Sequence, residues 1–488
     1  MSGILYHFAL VLTGIAVALL LPVAVAASYG ETVALVDFGL TAALTSVVSV
    51  SAAIALTGRE RRLVHKNGYI LLIMVWALVP AIAAIPVVLI TGLAPIDAYF
   101  ETVSGLTTTG ATVFKTLDPL PRAVIFWRAE LQWIGGFLTL LSIVLILAPA
   151  GVGGLPGRQI RLLETSERTD ISRATQIVLD TATAYGAATF ICFVGLFVIG
   201  APAFDAFCLT FSTVSTGGFM PRDGDLSVYG LPALEVWLAV FMVIGATSIL
   251  WHRMVLQRRF QLLKEHRESY ILIAGILVLG VLTAAVLFQA AGSASVLSPL
   301  SALREGLVTA ASMISTTGYE TRTGGLALLP LPLVLMVIFI GGSAFSTAGG
   351  IKAYRFGAMA TQSARELTRL LYPHGIRPAK FGSQPYDMQL MKAIWSHFVV
   401  TVMVLGIITL VVAGEAIDYE NALLATAATF SNIGPVYESQ WQTGVRHWQL
   451  FEEFGVIAKL ALCLTMIAGR LEMLALLGAV NGLIWLRR

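Results

Sequence analysis

At 488 residues, with 57% apolar residues, only 12% charged ones and a mean hydropathy of +0.83, the chain has the composition of a polytopic membrane protein. A formal net charge of +3 lends no support to nucleic-acid binding, so the placement of Lys and Arg matters more than their sum. Cys192, Cys208 and Cys463 lack CxxC spacing, and the seven histidines form no HxH or HxxxH pair and are expected in loops or at interfaces. Neither a disulfide framework nor a metal centre is therefore expected.

Apolar runs near 7–28, 35–57, 69–91, 123–149, 176–200, 231–252, 269–290, 330–361, 393–413 and 454–484 predict an all-α chain of about ten spans. The first run ends in small residues like a signal peptide. No basic residue precedes it, the first being Arg59, so it is expected to be a retained helix. Shorter segments near 96–108, 203–215, 303–316 and 419–431 are each about a dozen residues. At 1.5 Å per residue they enter a hydrocarbon core of about 30 Å without crossing it.

Basic residues cluster after the second, fourth, sixth and eighth spans: Arg59 to Lys66, Arg158 to Arg173, Arg253 to Arg267 and Arg355 to Lys392. The opposite loops are expected to hold fewer, among them Lys115, Arg122, Arg128, Arg222, Arg304 and Arg322. This bias predicts cytoplasmic termini and places the four short segments on the outer side. The basic loops at 151–175, 253–268 and 362–392 suit a soluble partner or anionic lipid.

The short segments are related. DAYFETVSGLTTTGATVF, DAFCLTFSTVSTGGFMP, EGLVTAASMISTTGYET and ENALLATAATFSNIGPVYE align on Gly110, Gly217, Gly318 and Gly434, at spacings of 107, 101 and 116 residues. An acid stands 12 to 14 positions earlier in each, as Asp97, Asp205, Glu305 and Glu420, and is expected to cap the positive end of a half-helix. An unpaired backbone group in hydrocarbon costs on the order of several kcal/mol, so a repeated small-polar-Gly loop at membrane depth implies a watery cavity. Four such strands around one axis could turn carbonyl oxygens inward and replace a monovalent cation's hydration shell, glycine keeping side chains out of the lumen.

These residues resemble the Trk/Ktr/HKT superfamily of potassium transporters, over about residues 69–484, and the two extra N-terminal spans look most like its bacterial Trk branch. The resemblance implies two additional helices (1–66) and four pseudo-symmetric repeats around one pore, at 67–157, 158–260, 261–375 and 376–488. It maps the ion filter onto Thr108, Thr109 and Gly110; Ser215, Thr216 and Gly217; Thr316, Thr317 and Gly318; and Asn432, Ile433 and Gly434. Glycine at all four central positions is similar to the potassium-selective branch, whereas sodium-selective plant members carry serine in the first. The fourth repeat departs at Asn432 and Ile433, and Val436 stands after Pro435 where many Trk members have glycine.

GGSAFSTAGGIK breaks the eighth run. A packing seam with Lys352 snorkelling to the cytosol would account for it, but the position resembles the family's intramembrane gating loop, with Gly341, Gly342, Ser343, Ser346, Thr347, Gly349, Gly350 and Lys352 as gate residues. Arg470, inside the last run, resembles the basic residue that the family projects toward the pore at gate level. A structural ion pair with Glu472 is the alternative, disfavoured because a spacing of two puts them on different helix faces. Lys459, nearer the outer end, is expected to snorkel.

The resemblance further implies potassium as the transported ion and no cofactor in this chain. It also implies a homodimer, a cytoplasmic nucleotide-binding regulatory protein of the TrkA type, and residence in the bacterial inner membrane among its lipids. A potassium/proton or potassium/sodium symporter with alternating access is the rival, although the repeats share one orientation rather than alternating. No nucleotide loop, metal cluster or nucleophile constellation supports an enzyme.

Overall fold

The computed structural model describes residues 2–58, 65–149, 152–154, 170–256, 258, 260, 267–291, 298–372, 380–381, 384–385, 388–415, 417–441 and 448–473. The basic loop 151–175 and the end of the tenth apolar run thus fall largely outside the described residues.

The chain opens with a helical hairpin, α1 (Ser2–Ala18) and α2 (Leu20–Tyr29) running against α3 (Thr32–Ala55). Four units follow, each a long helix, a short helix, a non-helical segment that runs as a single unpaired strand of backbone, and a return helix. The first is α4 (His65–Thr91), α5 (Pro95–Leu106) and α6 (Arg122–Ser142). The second is α7 (Asp170–Ile199), α8 (Ala203–Val214), α9 (Pro232–Ala246) and α10 (Ile249–Leu256). The third is α11 (Arg267–Ala291), α12 (Pro299–Ile314), α13 (Leu331–Ile340) and α14 (Ala353–Leu371). The fourth is α15 (Met388–Ala413), α16 (Tyr419–Phe430), α17 (Pro435–Trp441) and α18 (Val456–Leu471). A two-residue antiparallel pair, Lys380–Phe381 with Gln384–Pro385, is the strand structure among the described residues.

Seven of these helical stretches are long and apolar enough to cross a membrane, and α9 with α10 makes an eighth candidate bent by 102°. The bend falls at Thr247, which is extended (φ −84°, ψ 158°) and ends α9. The run 330–361 is likewise two helices, α13 and α14, with residues 341–352 between them. The return helices of units two and three are thus broken, where a hydropathy count alone reads continuous spans.

Because lipid is the outer solvent, apolar side chains face outward as well as inward. Phe190, Phe197 and Val198 of α7 are exposed, at 69%, 57% and 78%. Small residues permit the close inner packing: a β-carbon on Gly135 would lie 1.7 Å from the Leu106 carbonyl, and one on Gly306 2.4 Å from that of Gly280. Contacts of α18 with α5 join the fourth unit to the first and close the ring.

Candidate ion filter and gate

The four short helices end alike. The residue following each is Thr107, Ser215, Ser315 or Ser431. The next adopts left-handed backbone despite bearing a side chain: Thr108 (φ 51°), Thr216 (57°), Thr316 (59°) and Asn432 (53°). The third N–H, from Thr109, Gly217, Thr317 or Ile433, bonds the carbonyl five residues back, at 2.8, 2.7, 3.0 and 2.9 Å. The fourth is Gly110, Gly218, Gly318 or Gly434, the first three with φ of 80°, 86° and 85°, which glycine adopts without a β-carbon clash.

This geometry corrects the register of the second unit. Thr216, Gly217 and Gly218 occupy the places of Thr108, Thr109 and Gly110, while Ser215 caps the helix. The two consecutive glycines of STGGF leave the choice open locally. The spacing from the preceding acid carries the signal, since with Gly218 it becomes 13, 13, 13 and 14 residues.

The strands meet in order around one axis. A β-carbon on Gly110 would lie 2.3 Å from the Gly217 carbonyl, and one on Gly218 1.9 Å from that of Thr317; the Gly434 N–H donates to the Thr109 carbonyl at 2.6 Å. The Pro435 ring reaches three glycines at once, within 2.9–3.1 Å of where β-carbons on Gly110, Gly218 and Gly318 would sit. Beyond them opens a cavity of about 290 Å³, bordered by Glu320, Glu438 and Arg128. Burial pushes the Glu438 carboxyl up to about 8, nearby Glu101 and Glu320 adding to the effect while the Thr112 N–H (2.8 Å) and Arg128 oppose it.

Arg128 is a buried residue of α6, not a loop base. Its Nε donates to Glu101 Oε1 at 2.7 Å and its guanidinium stacks 4.1 Å over Phe219. The acids of the short helices are paired too: Asp97 with Lys459, and Asp205 with Arg222 at 2.6 Å. Glu305 meets Arg304 (3.6 Å) and Arg322 (3.9 Å). Asp97, Asp205 and Glu420 stand in the first turn as expected, but α12 starts earlier, at Pro299, so Glu305 lies beyond it. Lys459 does not snorkel. It is buried, donating to Asp97 and to the Glu452 carbonyl at 2.8 Å.

Directly beneath the strands lies the loop 341–352, entirely buried. The Ser343 and Thr347 N–H groups donate to the carbonyls of Ala246 (2.9 Å) and Gly245 (3.2 Å), satisfying the end of α9 where it bends. The Gly349 N–H donates to Thr316 Oγ1 at 2.6 Å, and Thr216 Oγ1 to Thr347 Oγ1 at 3.3 Å. A β-carbon on Gly349 would lie 1.9 Å from the Ser431 carbonyl. Lys352 is buried in left-handed backbone (φ 80°) with Nζ donating to the Ala348 carbonyl, so it too does not reach the cytosol.

Arg470 joins loop and strands. Its guanidinium donates to the carbonyls of Thr107 and Thr347, to Thr108 Oγ1, and to the Thr108 carbonyl at 3.3 Å. Glu472 turns elsewhere, to Arg355 at 2.6 Å and to His397 Nε2 at 3.4 Å. His397 is buried in α15 rather than lying in a loop, and its carboxylate neighbour comes from 75 positions away, which no local motif reveals. Among the described residues no cluster of three or more metal-ligand side chains occurs.

A family model described as a cation transport protein, TrkH, matches residues 37–481. The Trk system potassium uptake protein TrkH of Salmonella typhimurium is 30% identical over 437 residues, covering 88% of each chain. The corresponding TrkG of Escherichia coli is 28% identical over 439 residues, covering 86% of this chain and 85% of its own. The crystal structure of the potassium transporter TrkH from Vibrio parahaemolyticus superposes with a TM-score of 0.86 at 28% identity, covering 99% of both chains.

Proposed function

Because the chain belongs to the TrkH family of cation transport proteins, we propose that it is the multi-pass membrane subunit of a Trk-type potassium uptake system in the bacterial inner membrane, a transporter rather than an enzyme. The four strands act as the filter, and the loop 341–352 with Arg470 as the gate below it. The observation that carries this reading is the fourfold left-handed turn, residue for residue, directly above a buried guanidinium bonded to both strand and loop.

Four strands with Thr, Thr, Thr and Asn at the left-handed position and backbone oxygen beside them suit a weakly hydrated monovalent cation. Arg470 in its present bonds sets a fixed positive charge in the ion's path, so conduction requires it and the loop to move aside. The membrane potential supplies about 2.3 kcal/mol per charge per 100 mV toward uptake. Potassium is substrate, and no cofactor is needed in this chain. The gate is moved from the cytoplasmic side, by a nucleotide-binding regulator of the TrkA type acting on a homodimer. Exposed Leu367, Leu370 and Leu371 on α14, the helix that continues directly from the loop, supply an apolar surface suited to such contacts.

The test is bi-ionic recording with potassium and sodium on opposite sides of a planar bilayer, for wild type and Gly318→Ser. A β-carbon at Gly318 meets Pro435 at 2.9 Å in backbone with φ 85°. The potassium-to-sodium permeability ratio should exceed one and fall at least about fivefold in the variant, as expected when carbonyl geometry sets selectivity. Absence of current together with saturable proton-coupled uptake into liposomes would transfer the four strands to an alternating-access symporter.

A further inference from the structure

The third strand position is filled differently in the four units. In the first and third it is threonine, whose hydroxyl pairs with that of the helix-capping residue: Thr109 with Thr107 and Thr317 with Ser315, both at 2.7 Å. In the fourth it is buried Ile433. In the second it is Gly217, and a side chain from another unit occupies the space. Gln132 of α6 is fully buried, and a β-carbon on Gly217 would fall 2.3 Å from its Cδ and 2.4 Å from its Oε1.

Gln132 does more than fill volume. Its Nε2 donates to the Gly217 carbonyl at 2.8 Å, and its Oε1 accepts from Ser212 Oγ at 2.7 Å and from the Phe219 N–H at 3.3 Å. The amide's orientation follows from its neighbours, since a backbone N–H only donates and a carbonyl only accepts. One side chain of the first unit therefore grips the second strand on both sides of Gly218. The gripped carbonyl is the one that abuts Gly110 of the first strand.

We propose that Gln132 is a positioning and specificity-determining residue of the filter, which stands in for the missing third-position side chain and aims the Gly217 carbonyl. The proposal rests on the filter reading above. A carbonyl has two lone pairs, so the amide takes one and leaves the other for an ion while fixing its direction. Gln132 and Gly217 are then a matched pair, and each is tolerated only because of the other.

The experiment is a double-mutant cycle read as the potassium-to-sodium permeability ratio, with thermal melting in detergent as a control for folding. Gln132→Ala should lower the ratio at least threefold. Gly217→Thr, which restores the first and third units' pattern but collides with Gln132, should lower it at least fivefold. The double variant should return to within twofold of wild type, because the added hydroxyl can pair with Ser215 as Thr317 does with Ser315. If the alanine variant does not fold, Gln132→Met keeps the volume, removes only the amide, and should show the same threefold loss. A wild-type ratio in the folded Gln132 variant, or a double variant no better than Gly217→Thr alone, overturns the proposal. Gly318→Ser measured alongside separates the two levels: if it alters the ratio and the Gln132 variant does not, only the inference fails, and if neither does, the filter reading fails as well.

Discussion

The four strands and the loop beneath them lie one hydrogen bond apart, yet they are held in different ways. Each strand takes its turn from its own unit, through the third-position N–H bonded to a carbonyl five residues back, and bonds from neighbouring units such as Gln132 are added to that shared local frame. The loop is fixed chiefly by other elements: α9 carbonyls, Thr316, Glu268 through the Ala344 N–H at 2.8 Å, and Arg470. Local, repeated bonds make a frame that changes little when distant helices shift. Bonds borrowed from several helices break when those helices move apart, which suits a gate.

The sharpest way to break this contrast is at the loop's exit. Glu472 pairs with Arg355, three residues past Lys352, and all of the groups involved are buried. Removing one partner of such a pair leaves an uncompensated charge, so Glu472→Gln should cost about 3–5 kcal/mol. A thermal melt in detergent should show a clearly lowered midpoint, and an unchanged midpoint would remove the anchor.

A smaller effect is expected at Arg470 itself. A charge-assisted hydrogen bond contributes about 1.5–3 kcal/mol, and 1.4 kcal/mol is about tenfold in population. Arg470→Gln should therefore raise basal potassium current through the chain alone by about tenfold, while selectivity, set above it, stays put. Loss of selectivity without added leak would reverse the assignment.

The smallest effect concerns the cavity beyond the strands, which the proposed orientation turns outward. With its carboxyl raised to about 8 by burial, Glu438 is mostly protonated at pH 7 and gains its charge as the outer pH rises toward 9. Glu101, Glu320 and Arg128 face the same group. Added negative charge at the mouth attracts cations, so current at low outer potassium should rise about twofold over that window. Glu438→Gln should flatten the response, and an identical profile in the variant would exclude Glu438 as its source.

Much of this arrangement was legible in the sequence because the strand signal is local. Glycine, small hydroxyl residues and an upstream acid recur in each unit, and the glycine-rich break after Ile340 interrupts an otherwise uniform apolar run. What stayed hidden depends on pairs far apart in the chain. Lys459 reads as a snorkelling base until Asp97, 362 positions earlier, is placed beside it, and Arg128 reads as a loop charge until Glu101 and Phe219 enclose it. Gln132 carries no signal of its own, since an amide in an apolar helix gains meaning only from the glycine it faces. The one-residue shift in the second unit had a different origin: two adjacent glycines look alike locally, and the spacing from Asp205 together with the backbone conformation separates them.

The most direct test of the division between filter and gate is one set of bi-ionic potassium/sodium recordings on wild type, Gly318→Ser and Arg470→Gln under identical conditions. Gly318→Ser should shift the reversal potential without raising the time-averaged open fraction, and Arg470→Gln should raise the open fraction without shifting the reversal potential. Both variants moving the same quantity would contradict the account.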